Sequence, residues 1–138
     1  MFGQADRVRF YELDALGHVN NTAYLRWFET VRVGWFAEYG LSNYGPEDPT
    51  FVLRQVACDY YAPMYLSETY VVSARCVSFR ESSFVKEYGV FADGKLKALG
   101  RAVIVMTDPK GTTKMPVTEA VRKVLESRDG AIADSRDR

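Results

Sequence analysis

The stretch DALGHVNN, residues 14–21, gathers an acid, a glycine, the single histidine of the chain and two adjacent asparagines just ahead of an aromatic-rich segment. Asp14 belongs to a side-chain type that is ionised at neutral pH and can serve as base or nucleophile. If a helix begins at Asn20 or Asn21, its first N–H groups point outward unpaired and carry roughly half a positive charge between them. A carboxylate and a helix N-terminus facing one small volume are the parts required for attack on a carbonyl, the developing negative charge being collected by backbone amides. Gly17 permits a tight turn and close approach of a substrate. Spacing alone is equally consistent with a loop of ordinary turn and capping residues.

The elements that must hold this stretch can be read on either side of it. RVRFYEL alternates well enough for a strand, and from Asn21 to Tyr39 the period changes. At helical spacing Tyr24, Phe28, Val31, Trp35 and Tyr39 form one stripe, with Leu25 and Phe36 widening it. Asn20 or Asn21 can cap the start, and Gly40 can adopt the left-handed conformation that closes the last turn. Such a helix is roughly 28 Å long, comparable to the diameter of a small domain, and must run through its middle. Four β-rich runs follow the loop SNYGPEDPT: FVLRQVACDYY, TYVVSARCVSF, SFVKEYGVF and LKALGRAVIVMT. Their short, turn-rich links imply antiparallel neighbours, and VTEAVRKVLESR closes the chain as a shorter amphipathic helix. A twisted antiparallel sheet offers its concave face to the long helix, an α+β arrangement whose edge strands predict at least a dimer.

Composition narrows the function. The chain has 138 residues, 47% of them apolar, which suits one core. Eighteen Lys plus Arg balance eighteen Asp plus Glu, so no overall field draws it to nucleic acid or to an anionic membrane. MFGQADRVRF lacks the apolar run of a signal peptide, and a soluble cytoplasmic protein is expected. Cys58 and Cys76 read as plain core thiols, without the spacing of a metal site.

The segment FYELDALGHVNNTAYLRWFETVR, residues 10–32, closely resembles the signature of hotdog-fold acyl-CoA thioesterases of the 4-hydroxybenzoyl-CoA thioesterase type. The likeness lies in the acid, the glycine, the HVNN turn, the tyrosine four residues past Asn20 and the YLRWFE helix, and it extends more weakly through ACDYYAPMYLSETYVV, RESSFVKEYGV and DGKLKALGRAVIVMTDPKG. The resemblance implies a hotdog fold, a long central helix wrapped by a five-stranded antiparallel sheet; length points to a single domain over residues 1–127, and the polar, charged SRDGAIADSRDR to a disordered tail over 128–138. It implies a homodimer with edge strands joined and active sites between subunits, pairing further into a homotetramer. The acid matching Asp14 would be nucleophile or general base in hydrolysis of an acyl-CoA, and the Asn21 backbone N–H would polarise the thioester carbonyl. Neither a metal nor another cofactor is implied. HVNN also resembles the equivalent stretch of plant-type acyl-ACP thioesterases, which makes His18 and Asn20 secondary catalytic candidates and acyl-ACP an alternative substrate; a non-hydrolytic acyl-CoA binding module is the alternative outside catalysis.

Other residues complete the expectation. Tyr24, Trp27, Phe28 and Tyr60 could shape an acyl or aryl pocket. Arg32 falls inside the apolar stripe and needs a partner, supplied by a carboxylate such as Glu29 or by loop carbonyls. Glu29 is also an alternative catalytic carboxylate. The phosphates of coenzyme A call for cations at the pocket entrance, for which Arg80, Lys86, Arg101, Lys110 and Lys114 are available; RESS places Arg80 and Ser83 at a turn, where they could bind substrate.

Overall fold

A computed structural model describes residues 2–134 of the chain. Strand β1 (Phe2–Arg7) leads through a 3-10 turn at Phe10–Glu12 into helix α1 (Asn21–Glu38). Strands β2 (Thr50–Tyr60), β3 (Thr69–Phe79), β4 (Ser83–Ala92) and β5 (Lys95–Thr107) follow, then helix α2 (Glu119–Asp129) and a short strand β6 (Ile132–Ala133). The sheet runs in the order β1-β3-β4-β5-β2, antiparallel throughout this path, while β6 lies parallel to the end of β3.

Helix and sheet meet because large side chains on one face small ones on the other. Tyr24, Phe28, Val31, Trp35, Phe36 and Tyr39 are buried along α1, together with Ala23 and Trp27. Opposite them, Ala98, Gly100 and Ala102 on β5 and Ala74 on β3 leave the sheet centre shallow. A Cβ at Gly100 would collide with the Phe28 ring, so glycine there lets the aromatic ridge settle onto the backbone. Phe28 in turn stacks on Tyr88 of β4, ring centroids 4.7 Å apart. Leu25, expected in the buried stripe, is instead 37% exposed and faces the β2 side.

Two ends of the chain differ from expectation. The first strand lies earlier than RVRFYEL suggests: Val8 is buried but Phe10 is 78% exposed, so the alternation breaks where the 3-10 turn begins. β1 itself is an edge strand held by backbone pairing to β3 from Phe2↔Ala74 to Arg7↔Thr69, and five of its six residues are exposed. At the other end, where a disordered tail was expected from residue 128, Gly130 closes α2 in the left-handed conformation and β6 pairs with Ser78 and Phe79. Residues 135–138 of that expected tail lie outside the described residues.

This C-terminal turn carries a polar core. The buried Asp129 carboxylate accepts from Trp35 Nε1 at 3.0 Å, from the Tyr39 hydroxyl and from the Cys76 backbone N–H at 2.7 Å, tying α1, β3 and α2 together. Lys86, expected among the cations near the substrate, is fully buried, its Nζ 3.2 Å from the centroid of the Trp35 ring. The alternation of β4 puts Phe84, Lys86, Tyr88 and Val90 on one face, and that face is the core. Burial drives the lysine well below its ordinary pKa, against the opposing pull of Cys76 and Asp129. The neighbouring Cys76 thiol is pushed up to about 12 by burial.

Among the described residues no helix is long and apolar enough to cross a membrane. Cys58 and Cys76 are free thiols, Cys76 buried and Cys58 half-buried.

Because burial lowers the Lys86 pKa in the fold, the unfolded chain binds more protons between the folded-state pKa and the ordinary lysine value, and the stability of the native protein rises with pH across that window. Lys86→Met is therefore expected to stabilise the fold by about 1 kcal/mol or more at pH 7, with the gain shrinking toward pH 10. Urea denaturation at the two pH values measures this, and a gain independent of pH would contradict it.

Candidate active site

The helix mouth is stitched in place by backbone bonds from three segments. Asn20 N–H donates to the Glu12 carbonyl at 2.7 Å, Val19 N–H to the Met64 carbonyl at 2.8 Å, and Leu13 and Val19 form an isolated bridge. Asn20 caps α1: its side-chain oxygen accepts from Thr22 N–H and from the Thr22 hydroxyl, both at 2.9 Å. The cap and the helix bonds leave the Asn21 N–H with no acceptor among the described residues. The Tyr60 hydroxyl, from the end of β2, donates to the Asn21 carbonyl at 3.1 Å and holds the first turn against the sheet.

Asp14 is exposed at the rim of the same turn. Its Oδ1 accepts from Leu16 N–H at 2.9 Å and His18 N–H at 3.2 Å, while its own backbone exchanges bonds with His18 and Gly17. Gly17 has φ +77°, a conformation that suits glycine and bends the loop back over the carboxylate. The second oxygen, Oδ2, accepts no hydrogen bond among the described residues.

A cleft of about 430 Å³ opens between these pieces, and it is lined by Asp14, His18, Asn21 and Tyr24 on one side and by Tyr60 to Pro63 on the other. The structure thus brings together the expected carboxylate, the expected oxyanion donor, the histidine and Tyr24. Asn20 and Gly17 shape the cleft from behind, one as the helix cap and the other as the loop's turn. His18 packs edge-on against Tyr65, ring centroids 5.2 Å apart. Tyr24 meets Tyr60 in a T-shaped contact at 5.0 Å; its hydroxyl, which makes no hydrogen bond among the described residues, is raised to about 12 by burial and remains a donor at neutral pH. Burial likewise raises the Tyr60 hydroxyl and the half-buried Cys58 thiol beside it.

Arg80 and Ser83 do not reach this cleft. Ser83 pairs with Val105 on β5, whereas Tyr60 pairs with Ala98; that separation along β5 is roughly 23 Å at the rise of a strand. Arg80 pairs with Asp134 at 3.5 Å and lines, with Arg54, Ser83 and Lys114, a separate cavity of about 230 Å³ at the opposite end of the sheet. Trp27 also points elsewhere: it stacks on Tyr70 at 4.1 Å and donates to Glu12 at 2.8 Å.

Tyr61, Ala62 and Pro63 are cleft residues that the sequence reading missed. Their one signal was position, since the chain leaving a strand at Tyr60 must turn, and Tyr61 and Ala62 bond back to the Lys97 carbonyl to do so.

Residues 8–125 match the Thioesterase-like superfamily. A thioesterase-superfamily protein from Jannaschia sp. CCS1 superposes with a TM-score of 0.90 at 43% identity, covering 96% of this chain and 86% of the other. A thioesterase from Thermus thermophilus, crystallised with coenzyme A and zinc, superposes with a TM-score of 0.79 at 31% identity, over 94% and 95% of the two chains. In sequence, the acyl-CoA thioester hydrolase YbgC of Escherichia coli O6:H1 is 27% identical over 106 residues, 75% of this chain and 79% of that protein. The fold is the hotdog fold, and the chain belongs to the thioesterase-like superfamily.

Replacing Asn20 by alanine removes the acceptor of two hydrogen bonds at the helix start and is expected to cost about 1 kcal/mol of stability. Chemical denaturation would show it as a lowered midpoint with an unchanged slope; an unchanged midpoint would mean that the backbone bonds of the turn hold the helix mouth without the cap.

Proposed function

We propose that this chain is an acyl-CoA thioesterase of the 4-hydroxybenzoyl-CoA thioesterase type, with Asp14 as nucleophile or general base and the Asn21 N–H as oxyanion donor. The observation that carries the reading is that a carboxylate with one uncommitted oxygen and a helix-start N–H with no acceptor among the described residues line the same cleft. The relationship to YbgC and to the coenzyme A-bound Thermus thermophilus protein supports the thioester as substrate and coenzyme A as carrier; acyl-ACP is the alternative carrier.

A thioester carbonyl seated at the helix mouth accepts from Asn21 N–H, and the developing oxyanion meets the positive end of α1. In the nucleophilic route Asp14 Oδ2 bonds to the carbonyl carbon, the C–S bond breaks with departure of the thiolate, and water then cleaves the mixed anhydride to regenerate Asp14 and release the acid. In the general-base route Asp14 takes a proton from water as the water oxygen attacks, and the thiolate leaves directly. Coenzyme A is a good leaving group in both, so no strong general acid is needed. His18 N–H and Leu16 N–H hold Oδ1, which fixes the direction of the free oxygen. The His18 ring, Asn20, Gly17 and Tyr24 support the site, and Tyr24 also offers its hydroxyl to the substrate.

The β2 edge, where Val52 is 39% and Leu53 42% exposed, is the surface through which two copies would join as a homodimer, with dimers pairing into a tetramer in the cytoplasm. One observation favours a non-hydrolytic acyl-CoA binding module instead: Oδ1 of Asp14 is already engaged by its own loop.

Incubation with a panel of acyl-CoAs, with detection of free thiol, separates the two readings: the thioesterase releases thiol, the module binds without release. Asp14→Asn is expected to lower turnover by ~10²-fold or more, and an unchanged rate would reject the role given to Asp14.

A further inference from the structure

A second groove, about 330 Å³ in volume, lies between α1 and β2, farther along the helix than the cleft. Its position continues the cleft. Asn21, Tyr24, Phe28 and Arg32 follow one another at successive turns of α1, while Tyr60, Cys58 and Val56 descend β2 beside them in the opposite direction. Leu25, Phe28, Phe51 and Val56 give the groove apolar walls. An acyl chain whose carbonyl sits at Asn21 and that follows α1 alongside β2 passes Phe28 and arrives at Arg32.

Arg32 is an unusual end for an acyl path. It is half-buried, and Nη1 donates to the Tyr88 hydroxyl at 3.0 Å. Neither Glu29 nor any other carboxylate among the described residues lies within ion-pair distance of it. The expected pairing with a carboxylate or with loop carbonyls is thus replaced by a neutral phenol, and the half-buried guanidinium stands at the apolar walls of the groove with no ion-pair partner among the described residues. A guanidinium partly screened from water by apolar walls attracts an incoming anion more strongly than a fully solvated one does. Tyr88, fully buried, accepts from Arg32 and donates to no acceptor among the described residues, so its proton is also unspent. With Arg26 and Glu29 on the same groove, two guanidinium groups face one carboxylate.

We infer that Arg32 selects acyl groups bearing a carboxylate at the far end of the chain, so that the preferred substrates are monothioesters of dicarboxylic acids. The inference rests on the thioesterase reading. Arg32 lies roughly 16 Å beyond Asn21 along the helix axis, and its side chain leans back toward the N-terminus, which places the guanidinium within reach of an acyl chain of about six to ten carbons. A methyl-ended chain of equal length would bring no charge to Arg32 and would leave it as it stands. The two-oxygen geometry of a carboxylate also matches the fork of donors on the guanidinium.

The test compares straight-chain acyl-CoAs with their ω-carboxyl counterparts of equal length, from four to twelve carbons, by thiol release. The wild-type protein is expected to favour the ω-carboxyl series at six to ten carbons by about tenfold or more in kcat/KM, and the preference should weaken with added salt. In Arg32→Gln the ratio of the two series falls toward unity, and Arg32→Lys restores part of it. Wild-type hydrolysis of both series without preference, or a preference that Arg32→Gln leaves intact, overturns the inference while sparing the thioesterase reading. Release of thiol from neither series overturns that reading and takes the inference with it. The wild-type comparison stands even if the Arg32 variants fold poorly.

Discussion

Everything in this molecule depends on where α1 can lie, and that is set by aromatic rings meeting a shallow sheet. Phe28 rests on Gly100 and stacks on Tyr88, Phe36 stacks on Phe51 at 4.1 Å, and Trp35 is fully buried under β4. Each of these rings, on burial, contributes on the order of 1.5 to 3 kcal/mol and also fixes the rotation and the depth of the helix. Once the axis is set, its N-terminus has to emerge beside the end of β2, where Tyr60 holds it. The electropositive end of a buried rod is thereby presented at the surface without any residue having to be charged to provide it.

The same rod meets two kinds of charge. At its C-terminal end Trp35 and Tyr39 donate to Asp129, and with the Cys76 N–H the carboxylate's acceptor sites are occupied inside the protein. Such a group locks α2 and β6 to the core and is closed to ligands. Arg32, midway along the helix, is satisfied only by a hydroxyl, and at the N-terminus Asp14 and the Asn21 N–H each keep one unsatisfied bonding position. Polar groups satisfied within the fold belong to its stability, whereas Asp14 Oδ2, the Asn21 N–H and Arg32 follow one another along α1 from the cleft to the groove.

Much of this was legible before any coordinates. Burial of a helix leaves a strong period, so α1 was placed from its first residue, Asn21, to within one residue of its end, Tyr39 serving as the cap. The bounds of β3 were read directly from TYVVSARCVSF because its alternation and its flanking turns agree. β1 was misplaced because an edge strand held by backbone pairing, FGQADR, needs no apolar face. Lys86 was read as a surface cation on charge alone, although its place between Phe84 and Tyr88 in the alternation of β4 already pointed inward. Within the candidate site, DALGHVNN carried its own local geometry, whereas the residues facing it, Tyr60 to Pro63, come from the end of β2 and the turn after it, about forty positions later. The exclusion of Arg80 and Ser83 from the cleft followed from strand register, which no local pattern encodes.

The central claim is that Asp14 and the Asn21 N–H converge on one carbonyl. A crystal structure of the protein with an acyl-CoA analogue whose thioester sulfur is replaced by methylene tests it most directly. The account predicts the ketone oxygen within hydrogen-bond distance of Asn21 N and the ketone carbon facing Asp14 Oδ2. An analogue whose carbonyl lies away from the helix mouth, with Asp14 still turned only to its own loop, would contradict it.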